Sequence, residues 1–388
     1  MAHRIVVAAG GTGGHLYPAL SLAEAIWGME AQVEVTLVTS STAHNAALLH
    51  GYGPLARLHV ESLPIQARAS QAPAAWLRFG GQLWRSWHRA RRVIAAARPQ
   101  VVVGFGSYVS APVIVAARLG GCRTLLHEQN VLPGHANRWL APLADGVAVS
   151  CAATQQHWRG RAPRVLTGNP VRSTIGTIGR QAARAALGLA GDRPTLLVLG
   201  GSRGARAINR LMLDVIAAWS PAQRAACQLV HLAGAEDAAT VAAAYAQAGV
   251  VHRVMPFCNR MAEAYASADL VVARAGATTL AELAAAGCPA ALIPYPHGDG
   301  HQRANARWWV DAGAGVLFEE RALSADSVAA WLGGALQDAR RLQTMAESAS
   351  SLACPDAARG LAREVFRLAG WTPAVAAAEP APAPVMVG

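Results

Sequence analysis

Arg4-Ile5-Val6-Val7-Ala8-Ala9 is a strand-forming run that breaks into Gly10-Gly11-Thr12-Gly13-Gly14, and Leu16 to Trp27 behind it carries helical spacing. The same pattern returns about 190 residues later. Thr195 to Leu199 ends in Gly200-Gly201-Ser202-Arg203-Gly204, followed by a helical stretch from Ala205 to Ala218. Each copy opens a series of alternating strands and helices, which implies two similar doubly wound α/β domains whose glycine loops face one cleft. Further strands are expected at Glu34 to Val38, Val101 to Val103, Thr124 to His127, Gly146 to Val149 and Val165 to Leu166. The second half adds Gln228 to Leu232, Leu270 to Ala273 and Ala290 to Ile293. Turn-forming Gly168-Asn169-Pro170 marks the boundary, giving a first domain over 1–170 and a second over 171–355. A helix from Asp356 to Ala369 packs back on the first domain, and the Ala/Pro-rich stretch 372–388 has too little to bury to fold.

With 388 residues, 53% of them hydrophobic and 15% charged, the chain is long and apolar enough for two cores and is not a disordered polymer. Val101 to Ala117 is uncharged, but Gly104, Gly106, Ser107, Ser110 and Pro112 interrupt it, so it reads as strand, turn and helix rather than a membrane span. No signal peptide is expected at the N-terminus. Cys122, Cys151, Cys227, Cys258, Cys288 and Cys354 show no CxxC or Cys/His ligand spacing, so they are expected to be buried thiols rather than disulfides or zinc ligands. The net charge is +11 and contains no lysine. Residues 1–171 hold 15 arginines against 6 acidic residues, whereas 172–388 hold 19 against 17, so an anionic partner should meet the first half.

A glycine loop between a strand and a helix lets backbone N–H groups and the helix dipole approach an anion, which favours phosphate. Without lysine there is no Walker A motif, and the missing third glycine weighs against a dinucleotide. Four motifs carry a closer likeness: GGTGGH (Gly10 to His15), HEQN (His127 to Asn130), GNPVR (Gly168 to Arg172) and GGSRGA (Gly200 to Ala205). SYVSAP (Ser107 to Pro112), RAGATTLAE (Arg274 to Glu282) and His301-Gln302 join them in order. Together they resemble the MurG family of glycosyltransferases with the GT-B fold, in which two Rossmann-like domains face a cleft. The family transfers GlcNAc from UDP-GlcNAc to undecaprenyl-pyrophosphoryl-MurNAc-pentapeptide (lipid I), with inversion, giving lipid II and UDP. The likeness spans residues 4 to 370.

That resemblance implies a donor site in which Ser202 and loop N–H groups hold the diphosphate and Arg172 adds positive charge. It places Glu282 on the ribose hydroxyls, within the run Ala277, Thr278, Thr279, Leu280 and Ala281. Thr278 and Thr279 lie near uridine and phosphates, Gln302 near the GlcNAc hydroxyls, and Cys258 where the backbone reads the uracil edge. Thr12, Gly13, Gly14 and Asn130 reach the donor sugar from the first domain. Thr279-x-x-Glu282 also reads as a capping box, in which the carboxylate would serve only backbone donors. His15 is the first choice of general base, with orientation of its loop as the alternative role, and Glu128 is the second choice. No cofactor is expected, and no metal, because no Asp-x-Asp pair occurs. Ser107 and Tyr108 open the acceptor loop, where Ser107 and Ala111 replace glycines of a GGYVSGP-like pattern; Arg203 replaces a glutamine of GGSQGA.

Trp76, Phe79, Leu83, Trp84 and Trp87 recur every three or four residues among Arg78, Arg85, Arg89, Arg91 and Arg92. They are expected to touch an anionic membrane surface, which sets the protein peripherally on the cytoplasmic face. Gly80-Gly81 argues against one continuous helix there. Packing of the tryptophans into the core is the competing reading. Another lipid acceptor, such as diacylglycerol, would suit the same fold. Nucleic acid is not an expected partner, since no recognised binding module accompanies the basic charge.

Overall fold

The computed structural model describes residues 3–10, 13–42, 45–46, 49, 56–66, 73–158, 161–200, 206–297 and 299–372. Thr12, Ser202, Arg203 and the Ala/Pro-rich stretch after Thr372 lie outside them. The chain forms two compact units: one runs to Arg172 and resumes at Pro355, and the other is Ser173–Cys354.

In the first unit, β1 (Arg4–Ala8), β2 (Glu34–Ser40), β3 (Leu58–Leu63), β4 (Val101–Gly104), β5 (Arg123–Glu128), β6 (Gly146–Val149) and β7 (Arg164–Leu166) make one parallel sheet. Its order is β3-β2-β1-β4-β5-β6-β7. Ile5 pairs with Val35 on one side and Val101 on the other, so β1 sits where the order reverses, the usual ligand position in such sheets. The period of two decides the packing. Ile5 and Val7 join a core with α1 (Gly13–Met29) and the C-terminal helix Ala357–Ala369, through Leu361, Val365 and Phe366. Val6 and Ala8 join the opposite core with α2 (Pro73–Ala97) and α3 (Ser107–Leu119). Two short helices, α4 (His135–Leu140) and α5 (Ala152–His157), follow β5 and β6.

The second unit repeats the scheme. It contains α6 (Arg180–Ala186), β8 (Thr195–Leu199), α7 (Arg206–Ala218), α8 (Pro221–Ala225), β9 (Gln228–Leu232), α9 (Ala238–Gln247), β10 (Val251–Met255) and α10 (Met261–Ser267). It continues through β11 (Leu270–Ala273), α11 (Ala277–Ala286), β12 (Ala290–Leu292), α12 (His301–Asp311), β13 (Gly315–Leu317), α13 (Ala325–Gln337) and α14 (Ala339–Ser351), so the C-terminal helix is α15. The parallel order β10-β9-β8-β11-β12-β13 puts β8 at the reversal, and its glycine loop follows directly.

Three strands were not anticipated: β3, β10 and β13. All are at sheet edges, and β3 and β10 carry polar residues such as His59, Glu61, His252 and Arg253 on partly exposed faces. Conversely, α2 runs unbroken through Gly80-Gly81. Its inward residues Ala90, Val93 and Ile94, with Phe79, Leu83 and Trp87 packed against the same core, outweigh about 1 kcal/mol per glycine. The thiols are free, and two depart from the expected burial: Cys122 is half-buried and Cys354 is exposed.

Backbone constraints converge on the turn after β4. A Cβ on Gly10 would lie 2.4 Å from Val109 Cγ2, so only glycine lets the end of β1 pass α3 this closely. Ser110 Oγ stands 2.5 Å from Gly106 O and 3.2 Å from Ala8 O, tying the two segments. Gly106 has φ 80°, and Ser107 has φ 65°, where a side chain meets the following carbonyl. A glycine, the residue that the GGYVSGP-like pattern leads one to expect at Ser107, would adopt this conformation without strain. The weak hydrogen bond from Val109 N–H to Ser107 Oγ, at 3.4 Å, returns little of the strain. Ser107→Gly should therefore raise stability by roughly 0.5 to 1 kcal/mol after its added unfolded-state entropy. Gly10→Ala should lower it by about 2 kcal/mol. Thermal midpoints of the two variants must move in opposite directions; a Ser107→Gly variant that melts below the parent would show that the left-handed turn is not strained.

Candidate active site

The first unit gathers its polar residues at the C-terminal ends of β1, β4 and β5. Glu128, the last residue of β5, is 1% exposed, and a carboxylate buried so deeply must be paired. Oε1 accepts from Asn130 N (2.9 Å) and Asn130 Nδ2 (3.1 Å), and Oε2 accepts from Gly134 N (2.8 Å) and Asn137 Nδ2 (2.8 Å). These four donors take up both oxygens. Glu128 thus folds the β5–α4 loop around itself.

His127, on the same strand, is wholly buried. Gln129 Nε2 donates to His127 Nδ1 (3.1 Å) and lies 3.1 Å from Phe105 O, while His127 Nε2 lies 3.0 Å from Gly168 O. An amide nitrogen can only donate, so Nδ1 accepts and Nε2 carries the proton toward Gly168. Burial, with a smaller contribution from the charge of His15, lowers the His127 pKa to about 4. The imidazole is neutral and fastens the turn where the chain leaves the first unit.

His15 is the third residue of α1 and is half-buried. A Cβ on Gly106 would stand 3.5 Å from Asn137 Nδ2 and 3.7 Å from His15 Cε1, so His15, Asn137 and the Gly106 turn share one spot. Gly13 and Gly14 form the start of the same helix, whose dipole and first N–H groups face this end of the sheet. Ser107 and Tyr108, both half-buried, begin α3 beside it. Arg172 holds its guanidinium 4.5 Å over the Tyr17 ring of α1, and belongs to the first unit rather than beginning the second.

In the second unit, α11 begins at Ala277 with Gly276 as its N-cap and no side-chain cap. Thr279 is therefore the third helical residue and Glu282 the sixth, and the capping-box reading fails. Glu282 is buried, and the Tyr265 hydroxyl donates to its Oε2 at 3.0 Å. Thr278 is buried while Ala277, Thr279 and Ala281 are half-buried; Leu280 points into the core. Cys258 is buried in the β10–α10 connection. Gln302, in the first turn of α12, accepts the Tyr295 N–H through Oε1 at 2.9 Å, so the amide nitrogen is its donor atom. The loop carrying Tyr295 is held by Arg274, whose Nη1 donates to Ile293 O (3.0 Å), Pro294 O (3.3 Å) and the Glu320 carboxylate.

His127, Gln129, Asn137, Tyr265, Tyr295 and Glu320 were missed as site residues, although HEQN marked the first two. Along α2, Trp76 (53%), Leu77 (80%) and Trp84 (63%) are exposed. Phe79, Leu83 and Trp87 are instead partly buried against the core, so of the expected five-residue stripe only Trp76 and Trp84 are exposed. Among the described residues no helix is long and apolar enough to cross a membrane, and no group of three or more His, Cys, Asp or Glu side chains is placed to hold a metal ion.

Two parallel-sheet units of this strand order are the arrangement of the GT-B fold. A UDP-glucosyltransferase from Polygonum tinctorium shares the fold at 15% identity and TM-score 0.70, covering 96% of this chain and 99% of that one. Residues 5–149 match the glycosyltransferase family 28 N-terminal domain, and residues 195–361 its C-terminal domain. The UDP-N-acetylglucosamine–N-acetylmuramyl-(pentapeptide) pyrophosphoryl-undecaprenol N-acetylglucosamine transferase of Syntrophotalea carbinolica is 38% identical over 95% of this chain and 99% of its own. The enzyme of the same name from Pseudomonas fluorescens is 40% identical over 92% and 97%. The crystal structure of Acinetobacter baumannii MurG matches with TM-score 0.72 at 28% identity, covering 94% of this chain and 99% of that one. The chain belongs to glycosyltransferase family 28 and, within it, to the MurG family.

The buried histidines fix how stability depends on pH. His231, buried in β9, accepts from Tyr245 Oη (2.8 Å) and donates to Asn209 Oδ1 (3.0 Å), and burial lowers its pKa to about 4. Its unfolded value, like that of His127, is about 6.5, so between these limits the unfolded chain binds more protons. Stability is then complete above about pH 6.5, falls as the pH drops, and levels off below about 4, by on the order of 3 kcal/mol for each histidine. Urea midpoints from pH 7.5 to 4 should show this slope, and His231→Gln should flatten its part; an unchanged slope in that variant would remove His231 from the account.

Proposed function

We infer that the chain transfers GlcNAc from UDP-GlcNAc to the 4-hydroxyl of MurNAc in lipid I, releasing UDP and forming lipid II. The observation that carries this reading is the likeness, over more than nine-tenths of the chain, to transferases of that name. The residues supply a chemical route. His15 takes the proton from the MurNAc 4-hydroxyl as its oxygen attacks the anomeric carbon from the face opposite UDP, and the bond to the diphosphate oxygen breaks with inversion. The departing charge needs electrostatic stabilisation, which the second glycine loop with Ser202, the N-terminus of α7, Thr278, Thr279 and Arg172 provide. Glu282 holds the ribose, the backbone at Cys258 reads uracil, the Gln302 amide donates to GlcNAc hydroxyls, and Thr12, Gly13, Gly14 and Asn130 act on the transferred sugar. Glu128, with four donors on its carboxylate, supports His15 and Asn130 as an organiser rather than as the base.

With purified protein, UDP-GlcNAc and a short-chain lipid I analogue, UDP release should depend on the acceptor. His15→Ala should lower kcat by about 10² or more with little change in donor KM, and Glu282→Ala should raise donor KM by about tenfold. Acceptor-independent UDP release would sink the transfer reading, and a His15→Ala variant changed only in donor KM would remove His15 as base.

The acceptor's polyprenyl chain stays in the bilayer, so the protein must meet a lipid surface. Exposed Trp76, Leu77 and Trp84, with exposed Arg78, Arg85, Arg91 and Arg92 on the same helix, support contact with an anionic membrane. Trp76→Ser combined with Trp84→Ser should weaken binding to anionic vesicles at unchanged thermal stability and UDP affinity. Undiminished vesicle binding by the folded variant would count against this face.

A further inference from the structure

Tyr265 is one of the largest fully enclosed side chains of the second unit, and its ring shares an apolar cluster with Cys258 and Leu280. Its hydroxyl donates to Glu282 Oε2 at 3.0 Å, and its carbonyl accepts from Cys288 Sγ at 3.2 Å. One residue of α10 therefore grips α11 twice, in the helix and just beyond its end. We propose that Tyr265 is a positioning residue for the nucleotide donor, setting the Glu282 carboxylate in the orientation that selects a ribose diol. The proposal rests on the reading of Glu282 as the ribose ligand.

The physical case begins with freedom. A glutamate side chain has three rotatable bonds, and a buried carboxylate takes whichever orientation its donors impose. A phenol has two rotatable bonds, and here the ring is locked in the core, so the O–H sits at a fixed point. It engages Oε2, one of two oxygens through which a carboxylate accepts hydroxyl donors, and so fixes the plane of the group. Geometry adds a second consequence. The α10 helix follows directly on the connection that carries Cys258, so Tyr265 couples the backbone assigned to uracil with the carboxylate assigned to ribose. Base and sugar are then read by one rigid unit.

The test is a comparison of UDP with 2′-deoxy-UDP and 3′-deoxy-UDP, measured by calorimetry on the full chain. The parent should prefer UDP over at least one deoxy analogue by about tenfold or more, the scale of a hydrogen bond to a charged group. Tyr265→Phe should reduce that preference to about threefold or less. Glu282→Ala should abolish it. If Glu282→Ala abolishes the preference and Tyr265→Phe keeps the parent value, positioning by Tyr265 is refuted and the ribose reading stands. If Glu282→Ala itself keeps the parent preference, the ribose reading fails and takes the proposal with it. A lower melting point in Tyr265→Phe at unchanged preference shows a purely structural tyrosine and overturns the proposal. Tyr265→Met, which fills the space without a donor, replaces the phenylalanine variant should that one fail to fold.

Discussion

A buried carboxylate must be given partners by the backbone around it, and in the first unit that requirement falls on Glu128. Water cannot reach it, so Asn130, Gly134 and Asn137 supply four donors, and the chain between β5 and α4 has little choice but to wrap around the charge. The consequences spread outward. Asn137, fixed at one end by Glu128 and the His127 carbonyl, stands beside the Gly106 turn, which His15 also borders. The neutral His127 passes the constraint on to Gly168, where the chain prepares to leave the unit. Removing one donor from such a network leaves a charge partly unsatisfied in a low dielectric, so its members stand or fall together.

The second unit also buries a carboxylate, that of Glu282. Glu282 accepts from the Tyr265 phenol, and Arg274 organises the neighbouring loop through two carbonyls and the Glu320 carboxylate. A carboxylate encircled by backbone and side-chain amides shapes its own loop. Glu282 is instead tied to a neighbouring helix by a phenol locked in the core, and this difference is the physical ground for treating Glu128 and Glu282 differently although both are glutamates in short motifs.

The doubly wound fold was legible because interior parallel strands are apolar on both faces. Arg4–Ala8, Thr195–Leu199 and Leu270–Ala273 announce themselves as unbroken runs, and the glycine loops after two of them mark the reversals of strand order. Edge strands lack that signature, since one face of β3 or β10 is solvated, and a run such as Leu58-His59-Val60-Glu61-Ser62-Leu63 looks like any loop. Gly80-Gly81 misled for a related reason: propensity is local, whereas the burial that holds α2 together comes from residues far away in sequence. At the site, HEQN was visible as a motif, but which of its side chains turn inward depends on tertiary burial. The donors that meet Glu128 and Glu282 come from positions set by loop and helix geometry, which no spacing rule contains.

Sheet order, glycine loops and helix ends are shared widely among doubly wound proteins with unrelated chemistry, so the fold by itself specifies where a ligand sits and not what happens to it. Reaction specificity must come from the few side chains whose positions are over-determined. Ser107 illustrates the margin this leaves. A strained left-handed serine persists where glycine would be easier, because the Gly10 close approach to Val109 and the Ser110 hydroxyl fix the turn from both sides. The turn keeps its shape while its surface gains a hydroxyl, so this chain can vary the chemistry beside His15 without moving His15 itself.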